Sequence, residues 1–246
     1  MTKRLERMNM TKHWVGIATH GRRWVGLGLA LAVPAVTGFT PARAADAELT
    51  PLPLKLPIPA FMGTPTDLPM GPEVEKLSDK PRPPFLAPKG VQNLALKKTV
   101  SSSDKAPITG TLDLVTDGDK ESNDNSYVEL HRKTQWVQVD LGKPGKIYAI
   151  VIWHAHNTYQ VYHDVIVQLA DDADFTQNVR TVFNNDQHNE IGLGVGTDKQ
   201  YFENYEGKLI PVKGLDARYV RCYSHGSSYS ALNRYTEIEV WGLPGE

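Results

Sequence analysis

The segment "TDGDKES" places Asp117, Asp119, the main-chain carbonyls around Lys120 and the Ser122 hydroxyl in one short run. Such a density of hard oxygen donors suits calcium. Asp-Gly is equally at home in a simple turn, and the residues alone leave both readings open. A second cluster, "WHAHNTYQVYH", holds His154, His156 and His163. The first two share a strand face because they are two apart. Zinc would need further ligands to converge on them, and no spacing selects His131, His188 or His225 for that role. Sugar recognition makes better use of these residue types. Imidazole, amide and guanidinium groups hydrogen-bond hydroxyls, while an aromatic face packs on the apolar side of a pyranose ring. Strand ends and loops offer His131 and Arg132, then His156, Asn157 and Tyr159, then His225, Tyr229, Asn233 and Arg234 as the candidate ligand-binding set.

Catalytic patterns fit less well. Asp171, Asp172 and Asp174 in "ADDADF" lie side by side on a turn, whereas glycosidase carboxylates must face each other across roughly 5 to 10 Å of substrate. "GLGVG" lacks the Lys-Ser/Thr pair and the strand-to-helix context of a phosphate loop. Ser227 and Ser228 stand near His225 without any spacing that specifies a nucleophile, a base and an orienting acid. No catalytic residue is assigned. An enzyme would have to draw on the histidines and acids of the long segment from Phe183 to Gly207, His188 among them.

These residues need a scaffold, and beyond Val91 the pattern supplies one. "TQWVQVDLG" puts Val137, Val139 and Leu141 on one face and Trp136, Gln138 and Asp140 on the other. "KIYAIVIWHAH", "HDVIVQLA", "TVFNN", "KLIPV", "RYVRCYS" and "TEIEVWG" repeat the strand-like theme between Gly, Pro, Asn and Asp punctuation. Short runs separated by turn clusters predict an antiparallel all-β domain, and about 150 residues suffice for a two-layer sandwich with one core. The single cysteine, Cys222, sits in such a run. It forms no intramolecular disulfide and is predicted to be a buried, inert thiol.

Residues 45–90 read differently. Proline dominates "PLPLKLPIPAFMGTPTDLPMGP" and "KPRPPFLAPKG", and proline without an amide hydrogen favours extended backbone. The interleaved Leu52, Leu54, Leu56, Ile58, Phe61 and Phe85 exceed what a solvated spacer needs. They predict that part of this arm lies against the domain or against a partner. Before it, residues 1–44 carry Arg22 and Arg23, an apolar stretch from Trp24 to Phe39, and Ala42-Arg43-Ala44. That order reads as an export signal cut after Ala44, and hence a secreted or periplasmic protein; the apolar stretch is short for a membrane span. An uncleaved anchor is the alternative, and the export route stays open. The first 44 residues also hold seven of the 27 basic residues and one of the 28 acidic ones, so 20 basic and 27 acidic remain, a net charge of −7. Without a basic cluster beyond the leader, nucleic acid is excluded as a partner.

Six ordered stretches, "NLALKKTVSSSD", "LVTDGDKES", "QWVQVDLGKPGKIYAIVIW", "VIVQLADDADF", "ARYVRCYS" and "YTEIEVWG", resemble discoidin, or coagulation factor five/eight C-terminal type, domains across residues 91–246. The resemblance implies an antiparallel jelly-roll β-sandwich of the galactose-binding-like kind, related to bacterial carbohydrate-binding modules. It implies a non-catalytic module whose loops at one end recognise a glycan or glycoconjugate. It further implies one structural calcium held by Asp117, Ser122 and Glu237. Two departures matter: the Cys pair that ties the ends of animal members is absent, and "SSSDKAPITG" and "HRKT" lack the apolar spikes that membrane insertion would use. The alternative function is an adaptor of the cell envelope that docks a protein partner through the proline-rich arm.

Overall fold

Alternation in "QWVQVDLG" is what a strand with one buried face requires. The computed structural model describes residues 48–60, 71–78 and 80–245, and there this stretch opens the longest strand. The described residues belong to one unit, Asp46–Glu246. The expected export signal over residues 1–44, and Phe61 of the arm, lie outside the described residues.

In chain order the strands are β1 (Leu49–Pro51), β2 (Leu86–Pro88), β3 (Gln92–Asn93), β4 (Thr99–Ser102), β5 (Val128–Leu130), β6 (Gln135–His154), β7 (Ile166–Ala170), β8 (Arg180–Asn184), β9 (Lys208–Ser224) and β10 (Asn233–Pro244). Among the described residues the helical content is one 3₁₀ turn, Leu112–Thr116. None of them forms a helix long and apolar enough to cross a membrane.

β1 pairs with β2, and the other eight strands form one antiparallel hydrogen-bonded set. Two layers arise because β6 and β9 fold over together. The first half of β6 pairs with β4 and with the end of β9 (Val139 opposite Val220), and β9 continues to β7 and β8. The register shifts between Asp140 and Gly145, where Gly142 takes φ 83° and Pro144 follows. The second half of β6 then pairs with the start of β9 (Ile150 opposite Ile210) and with β10, which carries β3 and β5 on its far side. Val137, Val139, Val167, Leu169, Val220 and Cys222 from one layer and Ile150, Ile152, Ile210, Val212, Ile238 and Val240 from the other fill the interior. The all-β, antiparallel sandwich expected from the sequence is therefore what the chain forms.

The second layer has both faces buried. Its outer residues Ala149, Val151, Trp153 and Trp241 pack against Leu52, Leu54, Phe85, Val91 and Leu209. Backbone hydrogen bonds hold the arm there, from Leu52 N–H to Phe85 O at 2.9 Å and from Lys89 N–H to Glu48 O at 2.8 Å. Arg82 adds bonds to the carbonyls of Gly207 (2.6 Å) and Glu206 (2.9 Å). Gly207 lies against Trp153 so closely that a Cβ would come within 2.6 Å of the indole ring. Of the arm residues singled out from the sequence, Leu52, Leu54 and Phe85 cover the sheet, while Leu56 and Ile58 are exposed.

Candidate functional site

Both ends of β6 lie at the same end of the sandwich, because the strand runs out in one layer and back in the other. Register places Gln135 opposite Ser224, Ser102 opposite Val137, Leu130 opposite Asn233 and His154 opposite Tyr235. The connections 103–127, 131–134, 155–165 and 225–232 therefore gather into one rim.

Asn233 holds two of these loops. Its Nδ2 donates to the carbonyls of His131 and Lys133, both at 2.9 Å. Its Oδ1 accepts the Gly226 N–H and the Ser224 hydroxyl, both at 2.8 Å. Lys133 takes φ 70°, in the left-handed region, so the 131–133 turn points its carbonyls inward and its side chains outward. His131 N–H donates to Asp104 Oδ2 at 2.8 Å, and the His131 ring Nδ1 meets the same oxygen at 2.8 Å. Partial burial acts against the Asp104 charge, yet these bonds from His131 hold the carboxyl below the usual range. The His131 ring remains 58% exposed.

The second loop is braced by Ser227, whose hydroxyl donates to Gln160 Oε1 at 2.7 Å and accepts the N–H of Ser230 at 3.1 Å. Tyr229 projects from it, 61% exposed. His225 Nδ1 lies 3.2 Å from Asp164 Oδ2. Burial, with Asp186 nearby, raises the Asp164 carboxyl above its ordinary value. Arg234 Nε donates to Glu129 Oε2, and its guanidinium lies 5.3 Å from the Tyr127 ring centre. Burial raises the Tyr127 phenol.

The nine expected ligand residues separate accordingly. His131, Arg132 and Tyr229 are exposed on the rim, and Asn157, Tyr159, His225 and Arg234 are half-buried. Two expectations need correction. Asn233 is fully buried with four hydrogen bonds and shapes the loops from beneath. His156 is buried as well: its Nε2 pairs with Lys120 O at 2.9 Å, and its N–H donates to Ser122 Oγ at 2.8 Å. Neither side chain reaches the surface. Asp104, Lys133, Glu129 and Tyr127 border the same rim and stand outside the expected set. The "HRK" run made Lys133 readable as part of a basic turn, whereas the Asp104–His131 pair joins residues 27 apart and has no local signal.

The expected calcium residues lie beside β10. Glu237 Oε2 accepts the Gly118 N–H at 3.2 Å, while Glu237 Oε1 is enclosed without a hydrogen-bond partner. Burial pushes this carboxyl up to about 9 and also raises Asp117. An enclosed, unpartnered carboxylate oxygen beside an Asp-Gly turn fits a hard cation. Ser122 fits less directly, since its Oγ already accepts the N–H groups of His156 and Asn157. Among the described residues no three His, Cys, Asp or Glu side chains gather into a metal-holding group.

The acids of the long 183–207 segment brace their own loop. Asp186 accepts the N–H groups of Glu190 and Ile191, both at 2.8 Å, and Asp198 accepts that of Asn184 at 2.7 Å. Glu203 is buried against His154, with Oε1 2.6 Å from Nδ1. His188 stands exposed, 3.9 Å from Glu73.

A family model described as a NedA-like, galactose-binding domain of the F5/F8 type C group matches residues 114–222. The chain is similar to a family 89 glycoside hydrolase from Clostridium perfringens, with 22% identity and a TM-score of 0.46 over 61% of this chain and 14% of the hydrolase. It is also similar to a chitosan-binding module from a chitosanase/glucanase of Paenibacillus sp. IK-5 (20% identity, TM-score 0.44, 62% of this chain and 99% of the module). A fucose-binding module of Streptococcus pneumoniae is another (16% identity, TM-score 0.42, 62% and 99%). No curated protein matches the chain. Over residues 114–222 the chain is thus similar to the F5/F8 type C, galactose-binding-like family.

Proposed function

We propose that the chain is an exported, non-catalytic module of the cell envelope that binds a glycan or glycoconjugate through its loop rim. One observation carries the reading: an exposed aromatic ring, Tyr229, and the hydrogen-bonding groups of His131 and Arg132 stand on two loops tied to a single buried side chain, Asn233. A ring for the apolar face of a sugar and donors for its hydroxyls, held in advance, are what saccharide recognition needs. The match to a galactose-binding domain supports it. Export rests on the leader alone. An open rim of this kind binds in the range of about 10 to 1,000 μM, roughly 4 to 7 kcal/mol, so function would draw on multivalency. Calorimetric titration with galactosides and with uronic-acid polymers tests the reading; saturable heats are expected with one class, and silence with both overturns it.

Calcium belongs to the same proposal. Glu237 and Asp117, with neighbouring main-chain carbonyls and with Ser122 supporting the loop, would hold it. When bound, the ion supplies the positive charge that keeps Glu237 ionised in its buried setting. If the dissociation constant is about 0.1 mM, ~1 mM calcium raises stability by about 1.4 kcal/mol. Thermal unfolding with and without chelator is expected to show a higher midpoint with calcium, and equal midpoints contradict the site.

The second reading, an envelope adaptor, is favoured by one observation. With Leu52, Leu54 and Phe85 packed on the sheet, the arm still exposes Leu49, Leu56, Ile58 and Leu86. Capture of a defined envelope protein that is lost on replacing these four by serine would support it.

A further inference from the structure

The guanidinium groups of this domain are nearly all occupied. Arg82 bonds the carbonyls of Glu206 and Gly207, Arg180 bonds Asp171, Arg218 bonds Asp140, Arg221 bonds Gln138 and Arg234 bonds Glu129. Of the six arginines among the described residues, Arg132 alone has no protein partner for its side chain. It stands at the centre of the 131–133 turn, with exposed His131 before it and exposed Lys133 after it.

That turn is built rather than loose. Asn233 grips the carbonyls on either side of Arg132 at 2.9 Å each, and Gln135 Nε2 lies 3.4 Å from the carbonyl of Arg132 itself. Lys133 is kept at φ 70°, a left-handed region that strains any residue with a Cβ. A glycine would sit there freely, and a lysine adds a cation. The nearest acid, Asp104, faces inward, its side chain 8% exposed and its Oδ2 engaged twice by His131. Of the other charged groups on the rim, Glu129 is paired with Arg234, Asp164 with His225, and the Lys105 ammonium bonds the Ser102 carbonyl at 3.1 Å, while Asp113, Asp117, Asp119, Glu121 and Asp124 of the 103–127 connection form no ion pair with the turn. Among the described residues no carboxylate pairs with Arg132 or Lys133, so the turn presents two unpaired cations on a chain whose charge beyond residue 44 is −7.

A free, planar guanidinium beside an ammonium matches the two oxygens of a carboxylate or sulfate better than it matches a neutral hydroxyl. We infer that the rim selects anionic sugars, carrying a carboxylate or a sulfate ester, with Arg132 and Lys133 reading the anion while Tyr229 lies along the ring. This deepens the glycan-binding reading and rests on it.

The test is calorimetric titration of the full chain with four tetrasaccharides: galacturonate, its methyl ester, neutral galactan and 6-sulfated galactan. The galacturonate or the sulfated chain is expected to bind at least about tenfold tighter than its neutral counterpart, with affinity falling as salt rises. Which of the two does so tells carboxylate from sulfate. Arg132→Gln with Lys133→Gln is expected to bring the affinity for the charged chain to within about twofold of the variant's own affinity for the neutral one, and circular dichroism of the variant checks its fold. The ester and acid comparison needs no variant at all. Equal affinity for charged and neutral chains overturns the anion selection and leaves glycan binding standing. Binding of none of the four, with none of the plain galactosides either, overturns glycan binding and this inference with it.

Discussion

Asn233 and Arg132 differ in their place at the rim at the scale of single residues, and the proposed recognition divides between them: one is buried and shapes the loops, the other is exposed without a side-chain partner. The sequence shows the residue types at the end of a strand but not which side faces in. The strand period was legible as far as His154, which follows Ile150 and Ile152 inward. His156 lies past the strand end and is buried by bonds to Ser122 and Lys120, 34 and 36 residues away. For Asn233 burial depended on a pairing with Leu130, about a hundred residues distant, which no local pattern reveals. Replacing Asn233 by alanine leaves the carbonyls of His131 and Lys133 and the Gly226 N–H without partners. A loss of about 3 kcal/mol in denaturant unfolding is expected, together with weaker ligand binding; a loss below about 1 kcal/mol contradicts its role.

Asp140 offers a test in pH. Arg218 donates to both of its oxygens, at 2.8 and 2.9 Å, and holds the carboxyl below its ordinary value. An unfolded aspartate titrates near pH 4. Because the folded carboxyl takes its proton later as pH falls, the pair's contribution is present above about pH 4 and is lost as pH drops through the lower folded-state value. Asp140→Asn is expected to flatten that acid limb in pH-dependent unfolding and to change stability near neutrality by less than about 1 kcal/mol, since the pair is partly exposed. An unaltered acid limb removes the assignment.

At the scale of elements, β6 states its own environment. "QWVQVDLG" alternates and has one face in the core, whereas "IYAIVIW" lacks polar residues at alternate positions, as a strand buried on both faces must. The second covering is the arm, and the prolines that forbid regular ladder pairing still allow the extended path along which Leu52, Leu54 and Phe85 reach Val151, Trp153 and Trp241. The sequence therefore contained both halves of this contact, an over-apolar strand and an over-apolar spacer, but nothing local joined them. A fragment starting at residue 91 uncovers Trp153, which is fully buried in the intact structure. It is expected to lose about 3 to 6 kcal/mol in denaturant unfolding and to show red-shifted tryptophan emission. An unchanged midpoint would mean that the arm contact contributes nothing.

The whole molecule assigns its surfaces different work. Two layers share one interior, the arm closes the outer face of one layer, and the strands that fold over bring four connections to a single rim. Fold class was legible because short alternating runs recur throughout. The site was legible only as a region, because its shape comes from contacts such as Asn233 with His131 and Asp104 with His131 that cross between distant segments. The central claim is that this rim, and not the arm-covered face, meets the glycan. Amide chemical shifts of the isotope-labelled chain, followed during titration with the oligosaccharide that binds, test it most directly. Perturbations are expected in residues 131–134 and 225–232, with β1, β2 and the Trp153 indole unmoved; perturbations centred on the arm, with the rim silent, would contradict the account.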